Sequence, residues 1–447
     1  MIDKIKKIND NDKFPFLILF VLELFIHIFM TMTYGDDTVF KYIYQEQGVV
    51  NRIIWNYYNW STRFAIEGVL YNLYRFPFGI WKILDSGMLT LIGYSISEIF
   101  TQKNKRENNW IITGMVFIYP LMHMVTAGWM ATSTGYTWVV ALGLFAMAIL
   151  NQEYTGCNVS IGKKILGVVS LFYSVNAEQS VCVLLAWIAV ILIYKIKKKE
   201  AKTMNYIYLI IALGMFLFKV TAPSNKVNIA SHITKYDIDF QMLDIIDKFY
   251  NGFWTTSEHF FYHFNLVSFL MAGAIAIGII IIRKDFFYSV LGMIPPFFVG
   301  FIPLIVSIPS SFSQIRSERY SDGINLSNFQ RMGSYVPFAI YILIFILICI
   351  NIYILYGYNA KMICGILLFI LGFGGRMIMG FSPSLFASAT RTYCITYFSF
   401  ISLTVMIIHD IILYVEKNNA HKYIVKGWEI LLFFGAATGY LKVILSL

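Results

Sequence analysis

Charged side chains are scarce in this sequence. Only 13% of its 447 residues are Asp, Glu, Lys or Arg, whereas a soluble domain carries roughly 25%. Hydrophobic residues make up 58%, and the mean hydropathy is +0.65. Apolar runs of about twenty residues recur along the chain, and each is long enough to cross a hydrocarbon core. This balance predicts an all-α integral membrane protein and not a soluble one.

Motifs built on cysteine are also absent. The five cysteines form no CxxC pair and no Cys/His cluster, so neither a zinc site nor a disulfide framework is expected. The sequence contains no phosphate-binding glycine loop that would indicate a nucleotide-sugar domain. The net charge of +10 lies in short loops between apolar runs, so no nucleic-acid partner is expected. The cysteines are Cys157, Cys182, Cys349, Cys364 and Cys394.

The apolar runs predict about thirteen transmembrane helices in a single membrane domain, residues 1–447. The first run follows a charged leader but has no small-residue cleavage site, so we interpret it as a retained helix. The predicted spans are residues 14–33, 77–100, 110–129, 134–150, 164–177, 180–194, 204–220, 264–282, 286–309, 334–356, 361–381, 392–414 and 427–446.

Basic residues fall at the N-terminus and in every second loop, which is typical of cytoplasmic loops. We therefore predict a cytoplasmic N-terminus. The loops on the other side are longer and mix acids, bases and aromatics, so we expect the functional site at the outer face. These outer loops are residues 34–76, 221–263, 310–333 and 374–391.

Aromatic residues recur at roughly helical spacing in the first outer loop, between charged positions. This pattern predicts one or two amphipathic helices that lie in the membrane interface. The aromatic residues are Phe40, Tyr42, Tyr44, Trp55, Tyr57, Tyr58, Trp60, Phe64, Tyr71 and Tyr74.

Two adjacent acids stand where the first predicted helix leaves the membrane, in the motif Tyr34-Gly35-Asp36-Asp37. Like charges raise each other's pKa, and such a pair suits a general base or a metal ligand. Alternatively, one of the acids caps a helix that starts near Thr38.

Three cations could form a basic pocket for an anionic headgroup at the outer face. Arg63 ends the motif 60–63, where its guanidinium could bind a phosphate with two hydrogen bonds or anchor to lipid headgroups. Lys226 ends the segment 222–226, and Arg391 follows Ser382-Pro383; in both segments, proline followed by polar residues stops a helix.

A fourth candidate is Glu178, at the predicted outer tip 176–179 between two short helices. A carboxylate recessed below the surface is costly, which makes it a functional candidate. The alternative is a salt bridge to an arginine of a neighbouring loop.

Inside the predicted membrane region, Glu23 and His27 share one face of the first helix, and Lys82 and Asp85 share one face of the second. Buried ionisable residues normally pair with one another. We therefore expect these residues to hold the first two helices together, with a proton relay as the alternative.

These motifs together resemble those of the GT-C class of membrane glycosyltransferases, and in particular bacterial Gtr-type enzymes that decorate surface polysaccharides. The resemblance rests on Gly35-Asp36-Asp37, on residues 60–63, 176–178 and 222–225, and on Ser382-Pro383 followed by Arg391. Relatives usually have glycine at the positions of Thr62 and Ser224.

The resemblance implies an inverting transfer of a sugar from a polyprenyl-phosphate donor to a glycan or teichoic-acid-like acceptor, in a bacterial cytoplasmic membrane. It implies no cofactor, although a divalent cation beside the acids stays open. The base would be Asp36 or Asp37, with Asp37 slightly favoured. Arg63 and Arg391 would stabilise the departing phosphate, and Glu178 would bind sugar hydroxyls or orient an arginine. The implied substrate-binding residues are Trp60, Arg63, Glu178, Asn225, Lys226 and Arg391.

Two other classes remain as alternatives. A transporter or flippase of lipid-linked sugars would place functional charges near the bilayer midplane, where Glu23, His27 and Asp85 are predicted. A polysaccharide ligase or polymerase would share the many helices and the outer-loop arginines. The adjacent acids in the first outer loop favour the glycosyltransferase.

Overall fold

The computed structural model describes residues 11–32, 35–101, 103, 105–155, 158–306, 335–388, 390–418 and 422–446. All regular elements in these residues are helical, which confirms the all-α prediction. Several features named from the sequence lie outside the described residues: the leader 1–10, Tyr34, Cys157 and the predicted outer loop 310–333.

Within the described residues, nine helices are long and apolar enough to cross a bilayer, which is compatible with a multi-pass membrane protein. They are Phe78–Phe100, Lys105–Ala127, Trp129–Gln152, Glu178–Lys197, Thr203–Val220, Leu266–Arg283, Val336–Tyr356, Ala360–Phe381 and Thr390–Asn418.

Four predicted spans coincide with shorter helices or apolar stretches, so the count of thirteen stays a prediction. A helix of 15 residues, such as the first, rises only about 22 Å, which is less than the roughly 30 Å of a hydrocarbon core. The four are Phe14–Ile28, Ile161–Ser174, Phe286–Phe301 and Ile430–Leu445.

Contacts divide the chain into two compact units. The first consists of Met1–Gln241, Ser382–Phe398 and Gly427–Leu447, and the second of Met242–Phe381 and Ser399–Lys426. All eight predicted site residues belong to the first unit. The single membrane domain expected from the sequence stays a prediction.

Twelve helices of the first unit carry or support the site. In chain order they are α1 Phe14–Ile28, α2 Asp36–Gln47, α3 Val49–Asn59, α4 Phe64–Leu73, α5 Phe78–Phe100, α6 Lys105–Phe117, α7 Trp129–Gly135, α8 Thr137–Gln152, α9 Ile161–Ser174, α10 Glu178–Lys197, α11 Thr203–Val220 and α12 Ser224–Tyr236.

The first predicted outer loop is folded into helices α2, α3 and α4, which confirms its helical character. On α3 the apolar side chains of Val50, Ile54 and Tyr58 are exposed, whereas Arg52 and Asn56 are buried. Exposed apolar side chains suit a helix that lies in a membrane interface. The interfacial position itself stays a prediction.

Polar contacts tie α1 to α5, and α5 in turn to α8. His27 Nε2 lies 2.9 Å from Asp85 Oδ2, and the Trp138 indole donates to Asp85 Oδ1 at 2.6 Å. Lys82 donates to the Ile28 carbonyl at the end of α1 at 2.8 Å. The prediction that ionisable residues join the first two helices is confirmed, although the pairs form between helices and not along one helix face.

The second unit is built from the remaining helices and has an aromatic interior. Phe345 lies 4.8 Å from Phe369 and 5.0 Å from Phe373 between ring centroids. Its helices are α13 Ile245–Ser257, α14 Leu266–Arg283, α15 Phe286–Val306, α16 Val336–Tyr356 and α17 Ala360–Met377, while α18 Cys394–Asn418 and α19 Lys422–Ser446 contribute residues to both units.

Candidate active site

The turn before the two adjacent acids is shaped by a glycine. Gly35 has φ +53°, and a Cβ atom there would lie 3.0 Å from the carbonyl carbon of Ala127. Helix α2 then begins at Asp36, so the acids are its first two residues and neither side chain caps it. The cap near Thr38 considered from the sequence is therefore not the role of these acids.

Asp37 instead accepts hydrogen bonds from distant parts of the chain. Its side chain is fully buried, and its Oδ1 accepts from the Tyr74 hydroxyl at 3.0 Å and from the Ala131 amide at 2.8 Å. Its Oδ2 accepts from the Met130 amide at 3.0 Å. Met130 and Ala131 lie in the first turn of α7, whose amides lack partners within the helix. Asp37 thus caps α7 and joins it to α2.

This contact requires a second glycine. Gly128 precedes α7 with φ +105°, and a Cβ atom there would lie 2.8 Å from Asp37 Cγ and 2.9 Å from its amide nitrogen. A contact below 3.0 Å forces the backbone to shift, and this φ is strained for any other residue. Gly128 and Asp37 therefore fit together only while position 128 lacks a side chain.

Asp36 has a different environment from its neighbour. Its side chain is exposed, and it lies within the electrostatic reach of two cations, Arg391 and Lys235. Partial desolvation raises the pKa of Asp36, and the positive charges of Arg391 and Lys235 oppose this shift. Burial also raises the pKa of Asp37, against the hydrogen bonds from Ala131, Met130 and Tyr74.

The two cations near Asp36 come from separate helices. Arg391 lies in a short 3-10 helix, Thr390–Tyr393, and its Nη1 donates to Thr126 Oγ1 at 3.3 Å. Lys235 lies in the last turn of α12 and is exposed. The site around Asp36 therefore combines an accessible carboxylate with positive charge from two directions.

A second group of charges, here called the cation cluster, consists of Arg63, Glu178, Lys219 and Thr62. Arg63 Nε and Nη2 lie 2.7 and 2.6 Å from Glu178 Oε2. Lys219 Nζ lies 3.2 Å from Glu178 Oε1 and donates to Thr62 Oγ1 at 3.0 Å. The salt bridge between Glu178 and a loop arginine, one of the two sequence alternatives, is thus present.

The cation cluster carries an excess of positive charge. Within these four residues two cations share one carboxylate, a formal net charge of +1, and the buried Glu67 carboxylate also acts on Arg63 and Lys219. Burial disfavours the charge of Arg63, but Glu178, together with Tyr136 and Glu67, outweighs this effect, and the pKa of Arg63 is raised. The side chains of Arg63 and Glu178 are 36% and 45% exposed, so a solvent-borne anion can reach them.

Helix ends place each member of the cation cluster. Arg63 occupies the cap position of α4, where the following Ala65 amide donates to Asn176 Oδ1 at 3.0 Å. Glu178 is the first residue of α10, and Lys219 lies in the last turn of α11. Helix α4 lies between Arg63 and Tyr74, the partner of Asp37, and its ten residues extend for about 15 Å along the helix axis.

The remaining predicted residues support the site or lie at its margin. Asn225 donates to the carbonyls of Lys219 and Val220 at 2.7 and 3.2 Å, so it caps the end of α11. Trp60 is 38% exposed. Lys226 is exposed and forms no ion pair with a described residue. The place of Lys226 in the predicted basic pocket stays a prediction.

Sequence reasoning missed Lys219, Lys235 and Tyr74. A lysine one residue before the end of an apolar helix is usually explained by its reach to the membrane surface, so Lys219 carried no distinctive signal. Among the described residues, no group of three or more His, Cys, Asp or Glu side chains is placed to hold a metal ion.

Comparisons with protein-family models, with curated proteins and with solved structures find no match for this chain.

Proposed function

We propose that this chain is a membrane glycosyltransferase that moves a sugar from a polyprenyl-phosphate donor to a glycan or teichoic-acid-like acceptor, at the outer face of a bacterial cytoplasmic membrane. The observation that carries the proposal is the contrast between two adjacent acids. Asp36 is exposed beside two cations, whereas Asp37 is buried with three donors. The first suits a base, and the second suits a residue that holds the base in position.

In the proposed reaction, Asp36 accepts the proton of an acceptor hydroxyl while the hydroxyl oxygen attacks the anomeric carbon of the donor sugar. The bond between the anomeric carbon and the phosphate oxygen breaks, and its electron pair leaves with the polyprenyl phosphate. A single displacement inverts the anomeric configuration. This assignment moves the role of base from Asp37, slightly favoured on sequence, to Asp36.

The cation cluster suits the departing phosphate. The partly exposed Arg63 and the buried Lys219 both carry positive charge at this point, and charge-assisted hydrogen bonds to phosphate lower the barrier to its departure.

Arg391 and Lys235 act on the base in this proposal. A carboxylate works as a base only when ionised, and positive charge nearby favours the ionised form. Arg391, which the resemblance places at the phosphate, is therefore assigned to Asp36.

The experiment is a transfer assay with purified protein in detergent and polyprenyl-phosphate donors that carry different sugars. We expect Asp36→Asn to lower turnover by about 10²- to 10⁴-fold, the usual contribution of a general base, without a change in unfolding temperature. Asp37→Asn should lower the unfolding temperature, because its amide group meets donors where the carboxylate accepted.

Asp239→Asn is the matched control, since Asp239 is an exposed acid of the same unit. It should match wild type in both measurements. Wild-type protein that leaves every donor intact would contradict the proposal, and Asp36→Asn with full activity would contradict the assignment of the base.

One observation favours a transporter instead. Glu23 is buried, and its Oε2 has no hydrogen-bond partner among the described residues, while His27 of the same helix contacts Asp85. Unpaired acids between apolar helices occur in ion pathways. Movement of lipid-linked sugars across liposomes that requires the protein and is lost in Glu23→Gln would support this alternative.

A further inference from the structure

Three aromatic rings form a continuous cluster in the first unit, here called the aromatic cluster. The Trp60 ring lies 5.5 Å from the His232 ring, and the His232 ring lies 5.2 Å from the Tyr236 ring, both in edge-to-face geometry. Trp60 and Tyr236 remain 38% and 43% exposed. An edge-to-face contact covers at most one face of a ring, so apolar ring surface stays accessible to a ligand.

The aromatic cluster is flanked by both halves of the candidate active site. Trp60 lies three positions before Arg63 of the cation cluster, and its carbonyl accepts from Asn228 of α12 at 2.7 Å. Tyr236 directly follows Lys235, whose charge acts on Asp36. The chain therefore connects the aromatic cluster directly to Arg63 on one side and to Lys235 on the other.

The composition of the cluster matches the chemistry of a sugar ring. A pyranose presents weakly positive C–H groups on its face, which suit the negative face of an aromatic ring, and hydroxyl groups at its rim. The Lys235 ammonium and the His232 imidazole can meet such hydroxyl groups. Burial and the charge of Lys235 lower the pKa of His232, so its ring stays neutral near pH 7 and can both donate and accept.

We propose that Trp60, His232 and Tyr236 form a sugar-binding subsite. The inference rests on the proposed function and extends it by assigning the residues that hold a sugar ring. Both the donor headgroup and the acceptor glycan contain such a ring, so the shared ligand chemistry is the pyranose. Aromatic rings at a membrane surface also contact lipid, and that reading is one outcome of the test.

Binding, not turnover, tests the subsite. The probes are a polyprenyl-phosphate hexose, the same polyprenyl phosphate without sugar, and a free hexose tetrasaccharide, each titrated into the purified full-length protein. We expect Trp60→Ala and Tyr236→Ala to weaken the binding of one sugar-bearing probe by about tenfold. The same changes should alter the affinity for sugar-free polyprenyl phosphate by less than about twofold. Trp60→Phe should retain most of the affinity because it keeps a ring.

The matched control is Tyr58→Ala, since Tyr58 is an exposed tyrosine, 57% accessible, on the neighbouring helix α3. A loss confined to the lipid-linked hexose assigns the subsite to the donor, and a loss confined to the tetrasaccharide assigns it to the acceptor. Equal losses of affinity for the probes with and without sugar would assign the rings to lipid and overturn the inference. Unchanged affinities in both variants, or no binding of any probe, would overturn it as well. Because no sugar transfer is needed, a missing transferase activity leaves this result readable on its own.

Discussion

Two acid-centred clusters in the first unit have similar ingredients but different environments. In the buried cluster, Asp85 is 2% exposed, and its two oxygens meet His27 and Trp138. In the cation cluster, Glu178 is 45% exposed and meets both Arg63 and Lys219.

The difference between them lies in charge balance and access. Both oxygens of Asp85 accept from buried donors, so solvent does not reach this carboxylate. Glu178 pairs with two cations at once, and solvent reaches its side chain and that of Arg63. Burial with matched partners indicates a structural role, whereas exposure with unmatched charge indicates anion binding.

The largest expected effect concerns the buried cluster. Asp85→Ala leaves the His27 ring and the Trp138 indole without their partner among apolar helices. Breaking a buried pair from one side typically costs roughly 3–5 kcal/mol, so we expect a large fall in the unfolding temperature measured in detergent. The unfolding temperature should fall less in Asp85→Asn, because the amide oxygen still accepts from the Trp138 indole. An Asp85→Ala protein as stable as wild type would remove the structural role and strengthen the transporter alternative.

A smaller effect is expected in the cation cluster. Lys219→Met preserves length and apolar contacts but lowers the formal net charge from +1 to 0. Loss of a hydrogen bond to a charged group should weaken binding of sugar-free polyprenyl phosphate by about 10- to 100-fold, and added salt should reduce the difference. Lys163→Met, at an exposed lysine of α9, is the control and should bind like wild type. Unchanged affinity of Lys219→Met would place the phosphate elsewhere.

Much of the fold follows from composition, but parts of the site depend on contacts that sequence does not encode locally. Hydropathy alone predicted helices and membrane character. The motif with Asp36 and Asp37 could be located from the sequence because two adjacent acids beside an apolar run are conspicuous. The different roles of Asp36 and Asp37 could not be predicted. Asp37 accepts from the amides of Met130 and Ala131, which lie 93 and 94 positions away in the sequence.

The charges of the site show the same limit. Glu178 and Arg63 were both candidates, and their salt bridge was one of the alternatives, since opposite charges on neighbouring loops tend to pair. Lys219 was missed because its position near a helix end is also explained by reach to the membrane surface. Lys226 was included for its charge; it is exposed on α12, and its role in the site stays a prediction.

The smallest expected effect is a shift in pH dependence at Asp36. Transfer should fall as pH drops through the pKa of Asp36, because the protonated acid cannot accept a proton. Removing a nearby positive charge by Lys235→Gln or Arg391→Gln withdraws an influence that lowers this pKa. The pKa then rises, and the acid limb of the rate profile moves to higher pH, by a few tenths of a unit to about one unit for partly screened charges. Lys41→Gln, on the same helix as Asp36, should leave the limb in place. Initial rates from about pH 4 to about pH 9 would measure the shift, and a limb that stays fixed in both variants would mean that Asp36 is not the titrating base.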